Sequence, residues 1–545
     1  MTIGQKISHL RINAKMNQEQ LAKTLNVTRQ SISKWEMDTV SPQIDKVMEI
    51  CKLFQISADE LLDDNIVINK AAKGEEKPRK NKYFGTDGFR GESNKVLTAK
   101  HAYDVGRFLG WYYGTAKFAS RHNDGERAKI VIGKDTRRSS YMFEYAIAAG
   151  ISASGADAYL LHVTTTPSVS YVTRNDGFDC GVMITASHNI FYDNGIKVLN
   201  GNGEKLDDDV TALIEAYIDR DMEYLGVEGD DLPYATRENI GSITDYVEGR
   251  NRYTGYLISV VSKSFRGMKI GLDCANGASW NIARSVFSAL GAEVYAIGIE
   301  PNGLNTNRDC GSTHIVKLCQ FVKDKGLDVG FAFDGDADRC IAVDEKGREV
   351  DGDKMMYILG KALKRNNALN DNMVVVTIMS NSGALKAFKA AGLNYEQTKV
   401  GDRFVYERML EKNYGLGGEQ SGHVIMRKYA TTGDGILTAL KITEELIENK
   451  TTLSKLAAPV HLYPQVLKNV RVVDKQAVAE DLNIQNKVKE INAELGDNGR
   501  ILLRESGTEP VIRIMVEADD VELCNKYIDA VYALVKKGGY ICEQN

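Results

Sequence analysis

Three strand-like runs are each followed closely by a helix start: Ile130-Val131-Ile132 before Ser139, Lys269 to Leu272 before Ser279, and Met373 to Ile378 before Ser382. A strand that feeds a helix in this way belongs to a parallel sheet covered by its crossover helices, so the repeated βα unit predicts three related α/β domains. The carboxy-terminal stretch follows another rule. A strand near Val470, a helix from Val478 to Leu495, two strands separated by Glu505-Ser506-Gly507 and a helix from Val521 predict an α+β domain. A chain of 545 residues exceeds a single core, and ordinary domain sizes suggest about three to four units.

The amino-terminal segment is punctuated for short helices. Asn17 with Gln20 predicts a capping box for a helix through Leu25, Thr28 caps the next, and Ser41-Pro42 opens a third with Ile44, Val47, Met48 and Cys51 at helical spacing. Ser57 and Glu60 frame one more turn. The stretch from Lys70 to Lys82 carries six basic and two acidic residues with Gly74 and Pro78, and reads as a flexible basic linker. Net charge is −5, which excludes a protein that coats nucleic acid and confines any DNA contact to a local surface. The first residues lack a signal-peptide core and no apolar run is long enough to span a bilayer, so no membrane partner and a cytoplasmic location are expected. Eight cysteines without a C-x-x-C pair predict reduced thiols, with Cys340 in the core.

Asp334-Gly335-Asp336-Ala337-Asp338-Arg339 places three carboxylates at alternate positions just after the strand-like Asp328 to Phe333. Alternation sends them to one side, where they can converge on a hard cation. An EF-hand loop also has acids at this spacing. It needs glycine at its sixth position, where this chain has Arg339, and helices on both sides, where this chain has apolar strands. A solvated acidic turn is the remaining alternative, and Arg339 weighs against it by pointing to an anionic ligand such as a phosphate.

Gly181 to Thr185 delivers Ser187 and His188 to a strand end. Nothing there matches G-x-S-x-G, so an acyl-transfer elbow is disfavoured, and taken alone the pair reads as hydroxyl capping. Four loops considered together change this: Tyr83 to Gly91, Thr185 to Asn189, Asp334 to Arg339, and Gly417-Gly418-Glu419-Gln420-Ser421-Gly422-His423. Their order and spacing resemble the α-D-phosphohexomutases, and Arg504-Glu505-Ser506-Gly507-Thr508-Glu509-Pro510 is similar to the phosphate loop of that family's last domain. Gly303-Leu304-Asn305-Thr306-Asn307, Cys310 to His314 and Thr431 to Gly435 resemble the branch of the family that acts on glucosamine phosphate. Separately, Gln18 to Ala22 and Ser31 to Glu36 resemble the helix-turn-helix of phage-repressor-like regulators.

The resemblance implies a four-domain phosphohexomutase, three α/β domains plus one α+β domain, preceded by a small all-α helix-turn-helix domain. The implied boundaries are a DNA-binding domain at 1–65, a linker at 66–81, and mutase domains at 82–237, 238–349, 350–460 and 461–545. Ser187 would carry a phosphoryl group, with Arg90, Lys197 and Arg339 around it. Asp334, Asp336 and Asp338, with Ser187, would hold Mg²⁺. Lys197 would exchange the sugar hydroxyl proton if desolvation lowers its pKa. His188, Glu419, Ser421 and His423 would contact the sugar, while Arg504, Ser506, Gly507, Thr508 and Arg513 would grip the phosphate that is not reacting. A hexose 1,6-bisphosphate is the implied activator and a phosphosugar the implied substrate. Phosphoglucomutase or phosphomannomutase activity and a sugar-phosphate-sensing regulator are the rivals. Arg29, Gln30, Ser31 and Lys34 would face DNA, in an expected homodimer. Ile190 departs from the family pattern, which has proline there, and predicts a looser serine loop.

Overall fold

A computed structural model describes residues 2–13, 16, 18–25, 27–36, 40–54, 56, 58–62, 82–85, 87–115, 126–505 and 511–542. The expected caps at Asn17 and Ser57, the linker at 66–81, and Ser506, Gly507 and Thr508 lie outside what is described, while the turn expected through Glu60 is present as helix Ala58–Leu62. The chain divides into two compact units, 1–80 and 81–545.

The first unit contains helices Ile3–Asn13, Gln18–Thr24, Arg29–Glu36, Ile44–Phe54 and Ala58–Leu62. Ile7, Leu10, Leu21, Leu25, Ile32, Trp35, Val47 and Ile50 form its buried core. Thr28 caps as expected, accepting the Ser31 N–H at 3.2 Å. The third expected helix starts at Ile44, after Pro42, and its inward stripe is Val47, Ile50 and Cys51. Ile44 and Met48, expected on that stripe, are instead 82% and 49% exposed, because they sit on the turn face beside it.

In the second unit a seven-stranded sheet is built from β1 (Phe84–Gly85), β2 (Gly88–Glu92), β3 (Lys129–Lys134), β4 (Asp157–Val163), β5 (Cys180–Ile184), β6 (Asp193–Asn200) and β7 (Ile243–Asp245), in the order β1-β2-β6-β5-β3-β4-β7. β3 pairs in parallel with β4 and β5, and helices Arg138–Ala153 and Thr166–Asn175 provide the crossovers. β7 joins β4, so this sheet reaches past the boundary expected after residue 237. The second sheet holds β8 (Lys269–Asp273), β9 (Glu293–Ile297), β10 (Val329–Phe333), β11 (Cys340–Asp344) and β12 (Glu349–Val350), in the order β12-β11-β10-β8-β9. The third holds β13 (Met373–Thr377), β14 (Asn394–Thr398), β15 (Leu416–Gly418) and β16 (Val424–Met426), in the order β14-β13-β15-β16. Each of the three βα starts read from sequence is present, with helices at Arg138–Ala153, Ser279–Ala289 and Ser382–Ala390.

The last sheet is antiparallel, β17 (Gln465–Arg471), β19 (Val511–Glu517) and β18 (Arg500–Glu505). Helices Leu482–Leu495 and Val521–Lys537 complete it. The single helix expected from Val478 is two, Lys475–Glu480 and Leu482–Leu495, split where Asp481 leaves helical geometry to cap the second. One continuous core joins the second and third sheets, running from Tyr253 and Phe331 to Leu440 and Val460.

Candidate active site

β5 ends in Thr185, Ala186 and Ser187, and Ser187 adopts φ 50°, a left-handed conformation uncommon for a residue with a β-carbon. Contacts to main-chain atoms hold it there. Thr185 Oγ1 accepts the Ser187 N–H at 2.9 Å. The Ser187 carbonyl accepts from Asn307 Nδ2 at 2.7 Å and from Arg137 Nη2 at 3.1 Å. The same two side chains donate to the Asn189 carbonyl. Arg137 is itself paired with Asp135, which also accepts the Thr185 hydroxyl at 2.7 Å. These clamps fix the loop despite Ile190.

The acidic loop joins β10 to β11. Its carboxylates face one another with ligand atoms all within 4.8 Å, and all three are buried. The backbone is tied on three sides: Gly335 O accepts from Ala278 N–H at 2.8 Å, Asp336 O from Thr166 N–H at 3.0 Å, and Ala337 O from Gly435 N–H at 3.0 Å. Gly335 permits the serine loop to come close, since a β-carbon there would lie 2.6 Å from the Ser187 carbonyl oxygen. Ser187 Oγ donates to Asp334 Oδ2 at 2.6 Å. Asp336 Oδ1 and Asp338 Oδ1 are buried without a hydrogen-bond partner. Burial, then the charges of Asp338 and Asp336, push the Asp334 carboxyl well above its usual range. Crowded carboxylates with unused lone pairs fit a hard divalent cation.

Lys197 reaches this cluster from β6. Its Nζ lies 3.0 Å from Asp336 Oδ2, 3.1 Å from Asp338 Oδ2 and 3.2 Å from Asp87 Oδ2. Burial acts to lower its pKa, but the three carboxylates outweigh burial and hold it well above the ordinary lysine value. The desolvated, weakened lysine expected from sequence is therefore not what this arrangement produces. Arg90 pairs with Asp87, and Lys205 bridges Asp87 Oδ1 at 2.8 Å and Asp402 Oδ1 at 2.7 Å. His423 continues the series, with Nε2 3.5 Å from Asp402 and Nδ1 3.7 Å from Asp338. Burial opposes protonation of that ring, while the bond and charge of Asp338 favour it. The carboxylates win and raise His423 to about 9, with Nδ1 facing Asp338 and Nε2 3.0 Å from the Gly433 nitrogen.

Arg339 Nη1 donates to His188 Nδ1 at 3.1 Å, and the same nitrogen is 3.4 Å from Ser187 Oγ. Burial, with Arg339 and Arg90 nearby, brings His188 down to about 4, so the ring is neutral near pH 7. The hairpin of β15 and β16 brings Glu419 and His423 to the metal loop, tied by the Cys340 N–H to Gly422 O at 3.0 Å. Glu419 Oε1 accepts the Gly401 N–H at 3.1 Å, and Ser421 is exposed. Arg504 on β18 stands directly across from Arg513 on β19. Like charges in cross-strand register repel, and an anion between them relieves the repulsion. Burial, then Arg513, lowers the Arg504 pKa, and the Glu419 carboxylate acts against that shift.

The sequence reading assigned no role to Asp87, Arg137, Lys205, Asn307 or Asp402. Asp87 and Asn307 lie inside motifs singled out there, whereas Lys205 and Asp402 have no local signal at all. In the first unit Arg29, Gln30 and Lys34 are exposed on helix Arg29–Glu36 and Ser31 is half-buried. Among the described residues, no helix is long and apolar enough to cross a membrane.

Residues 81–225, 245–347 and 351–463 match the phosphoglucomutase/phosphomannomutase alpha/beta/alpha domains I, II and III, and residues 467–534 match the C-terminal domain of the same proteins. Residues 7–61 match a helix-turn-helix domain. A phosphoglucosamine mutase of Lachnospira eligens is 59% identical over 459 residues, covering 84% of this chain and 99% of that protein. One of Bacillus cytotoxicus is 46% identical over 455 residues, covering 84% and 98%. Among solved structures, a phosphoglucomutase/phosphomannomutase family protein of Burkholderia thailandensis superposes with TM-score 0.67 at 21% identity, covering 84% of this chain and 98% of that one. N-acetylphosphoglucosamine mutase of Aspergillus fumigatus, solved with GlcNAc-6P and magnesium, gives TM-score 0.58 at 18% identity, covering 85% and 97%.

Proposed function

The chain belongs to the phosphoglucomutase/phosphomannomutase family, with a helix-turn-helix domain at its amino terminus, and we propose that it interconverts glucosamine 6-phosphate and glucosamine 1-phosphate through a phosphoserine at Ser187. The observation that carries this reading is the 2.6 Å contact between Ser187 Oγ and Asp334, inside a cluster of three buried carboxylates flanked by Lys197 and Arg339. A sensing fold needs no nucleophile held against such a cluster.

In the forward direction the phosphorus–oxygen bond at phosphorylated Ser187 breaks as the sugar O1 takes the phosphoryl group, giving the 1,6-bisphosphate. The bisphosphate turns over in the cleft, and its 6-phosphoryl group returns to the Ser187 oxygen, releasing glucosamine 1-phosphate. Free hexose 1,6-bisphosphate would load an unphosphorylated chain in the same manner. Asp334, Asp336 and Asp338 would hold Mg²⁺, which supplies charge neutralisation for the transferring phosphoryl group. Lys197 stays an ammonium and stabilises charge at the transferred group. Neutral His188 lies beside Ser187 Oγ with its Nδ1 lone pair turned to the Arg339 donor, so it positions the serine side chain and does not take its proton. Glu419 and His423 orient the sugar, and Arg504 with Arg513 holds the distal phosphate of whichever isomer is bound.

A coupled assay comparing glucosamine, glucose and mannose 6-phosphates tests the substrate. Preference for glucosamine 6-phosphate by at least an order of magnitude in kcat/KM is expected, and equal or better use of the neutral sugars would reject the assignment. The amino-terminal unit supports a second role. Arg29, Gln30, Ser31 and Lys34 on helix Arg29–Glu36 would contact DNA in the major groove.

A further inference from the structure

A cavity of about 510 Å³ lies between the first two sheets of the mutase unit, lined among others by Arg138, Arg250, Trp280, Tyr141, Asn281 and Asn302. This is within the range of small-molecule sites, about 300–1,000 Å³. Its two guanidinium groups have no carboxylate partner among the described residues: Arg138 makes no ion pair, and Arg250 donates only to the Val163 carbonyl, at 3.4 Å. Helix Arg138–Ala153 and helix Ser279–Ala289 both begin at this cavity, and neither start is capped by a side chain. Two guanidinium groups in one cavity without a carboxylate partner favour a phosphate-bearing ligand. Trp280 adds a flat, partly exposed ring on which a base can stack.

The walls of the cavity are also the chain neighbours of the serine clamps. Thr136 and Arg138 flank Arg137, which holds the Ser187 and Asn189 carbonyls. Asn302 and Gly303 begin the loop that ends in Asn307, which holds the same two carbonyls. The two walls are bonded to each other, through Arg138 N–H to Gly303 O at 3.0 Å and Thr136 Oγ1 to Thr306 Oγ1 at 3.0 Å. A ligand drawing Arg138 or Asn302 toward itself therefore acts directly on the residues that set the position of Ser187.

We propose that the cavity between Arg138, Arg250 and Trp280 binds a nucleoside phosphate and transmits its occupancy to the Ser187 loop through Arg137 and the 302–307 segment. Full-length protein would be titrated calorimetrically with UDP, ADP, uridine and inorganic pyrophosphate while glucosamine 6-phosphate and magnesium are saturating, and turnover would be followed in parallel. At least one of the two diphosphates binds without displacing substrate and alters turnover. Arg138→Ala/Arg250→Ala binds it at least about tenfold more weakly, and uridine and pyrophosphate bind less well. Arg138→Gln, at an exposed position, gives the same comparison if the double variant fails to fold. Absence of saturable binding, competition with glucosamine 6-phosphate, or equal affinity in the variants would overturn the site. Pyrophosphate binding as tightly as the nucleotides would overturn the base contact, and unchanged turnover at full occupancy would overturn the link to Ser187.

Discussion

Ser187 Oγ and Asp334 Oδ2 stand 2.6 Å apart although 147 residues of chain separate them, so the phosphoryl carrier and the carboxylate cluster form one reactive centre. Ser187→Ala removes the carrier and leaves the main-chain clamps intact. Mutase activity should vanish with an unchanged circular-dichroism spectrum, and intact mass should show the wild-type phosphate missing. Retained turnover would rule out the phosphoserine route.

Asp336→Asn keeps an oxygen near Lys197 and Thr166 but removes a negative charge from the metal cluster. Magnesium demand should rise and kcat fall, on the order of tenfold or more. A magnesium titration that superposes on the wild type would sink the metal assignment.

Arg504→Ala should act on binding more than on chemistry. Loss of a charge-assisted hydrogen bond, about 1.5–3 kcal/mol, raises KM about tenfold or more. The repulsion with Arg513 also disappears, so thermal stability should not fall. An unaltered KM would show that this strand pair holds no phosphate.

Asp434 caps helix Gly435–Glu448 and accepts the Tyr253 hydroxyl at 2.8 Å. Burial raises its pKa from 3.8 to about 6. A carboxyl raised in the folded state is fully accommodated below its unfolded value, and stability is lost as pH climbs through about 6. Asp434→Asn lacks this loss, so its melting temperature should gain on the wild type between pH 4 and 7. A difference independent of pH would refute the shift.

Residues 1–64 hold eight basic and nine acidic side chains, so phosphate attraction by a single helix-turn-helix unit is weak. Two copies reading successive major grooves, about 34 Å apart, would supply affinity through avidity. Selection from random DNA should return two-fold-related sites, lost in Arg29→Ala/Gln30→Ala. If no sequence is enriched, the unit serves protein contact instead.

Whatever depended on near neighbours was readable in the chain. Strand runs followed by helix starts located all three βα units, and alternation along Asp334, Asp336 and Asp338 foretold that their carboxylates would meet. The reading failed where the environment is assembled from distant segments. Lys205 finds Asp402 across 197 residues, and Asn307 finds Ser187 across 120, pairings with no trace in local pattern. Lys197 shows the same limit in charge: its burial was foreseeable, but the three carboxylates that outweigh it come from two separate loops. Ile44 and Met48 satisfy helical spacing, and only packing decides which side of the helix turns inward.

The backbone of the Ser187 loop is gripped by its carbonyls, through Arg137 and Asn307, separately from the hydroxyl that reacts, which donates to Asp334. The handle and the cargo are therefore different atoms. Each catalytic cycle loads and unloads a dianion on the side chain, yet the holder has no reason to shift as the load changes. Empty and charged forms should share one backbone and differ at the Ser187 side chain, where loading adds charge and removes the hydrogen bond to Asp334, so a preparation containing both would look uniform in shape while separating on an ion-exchange column.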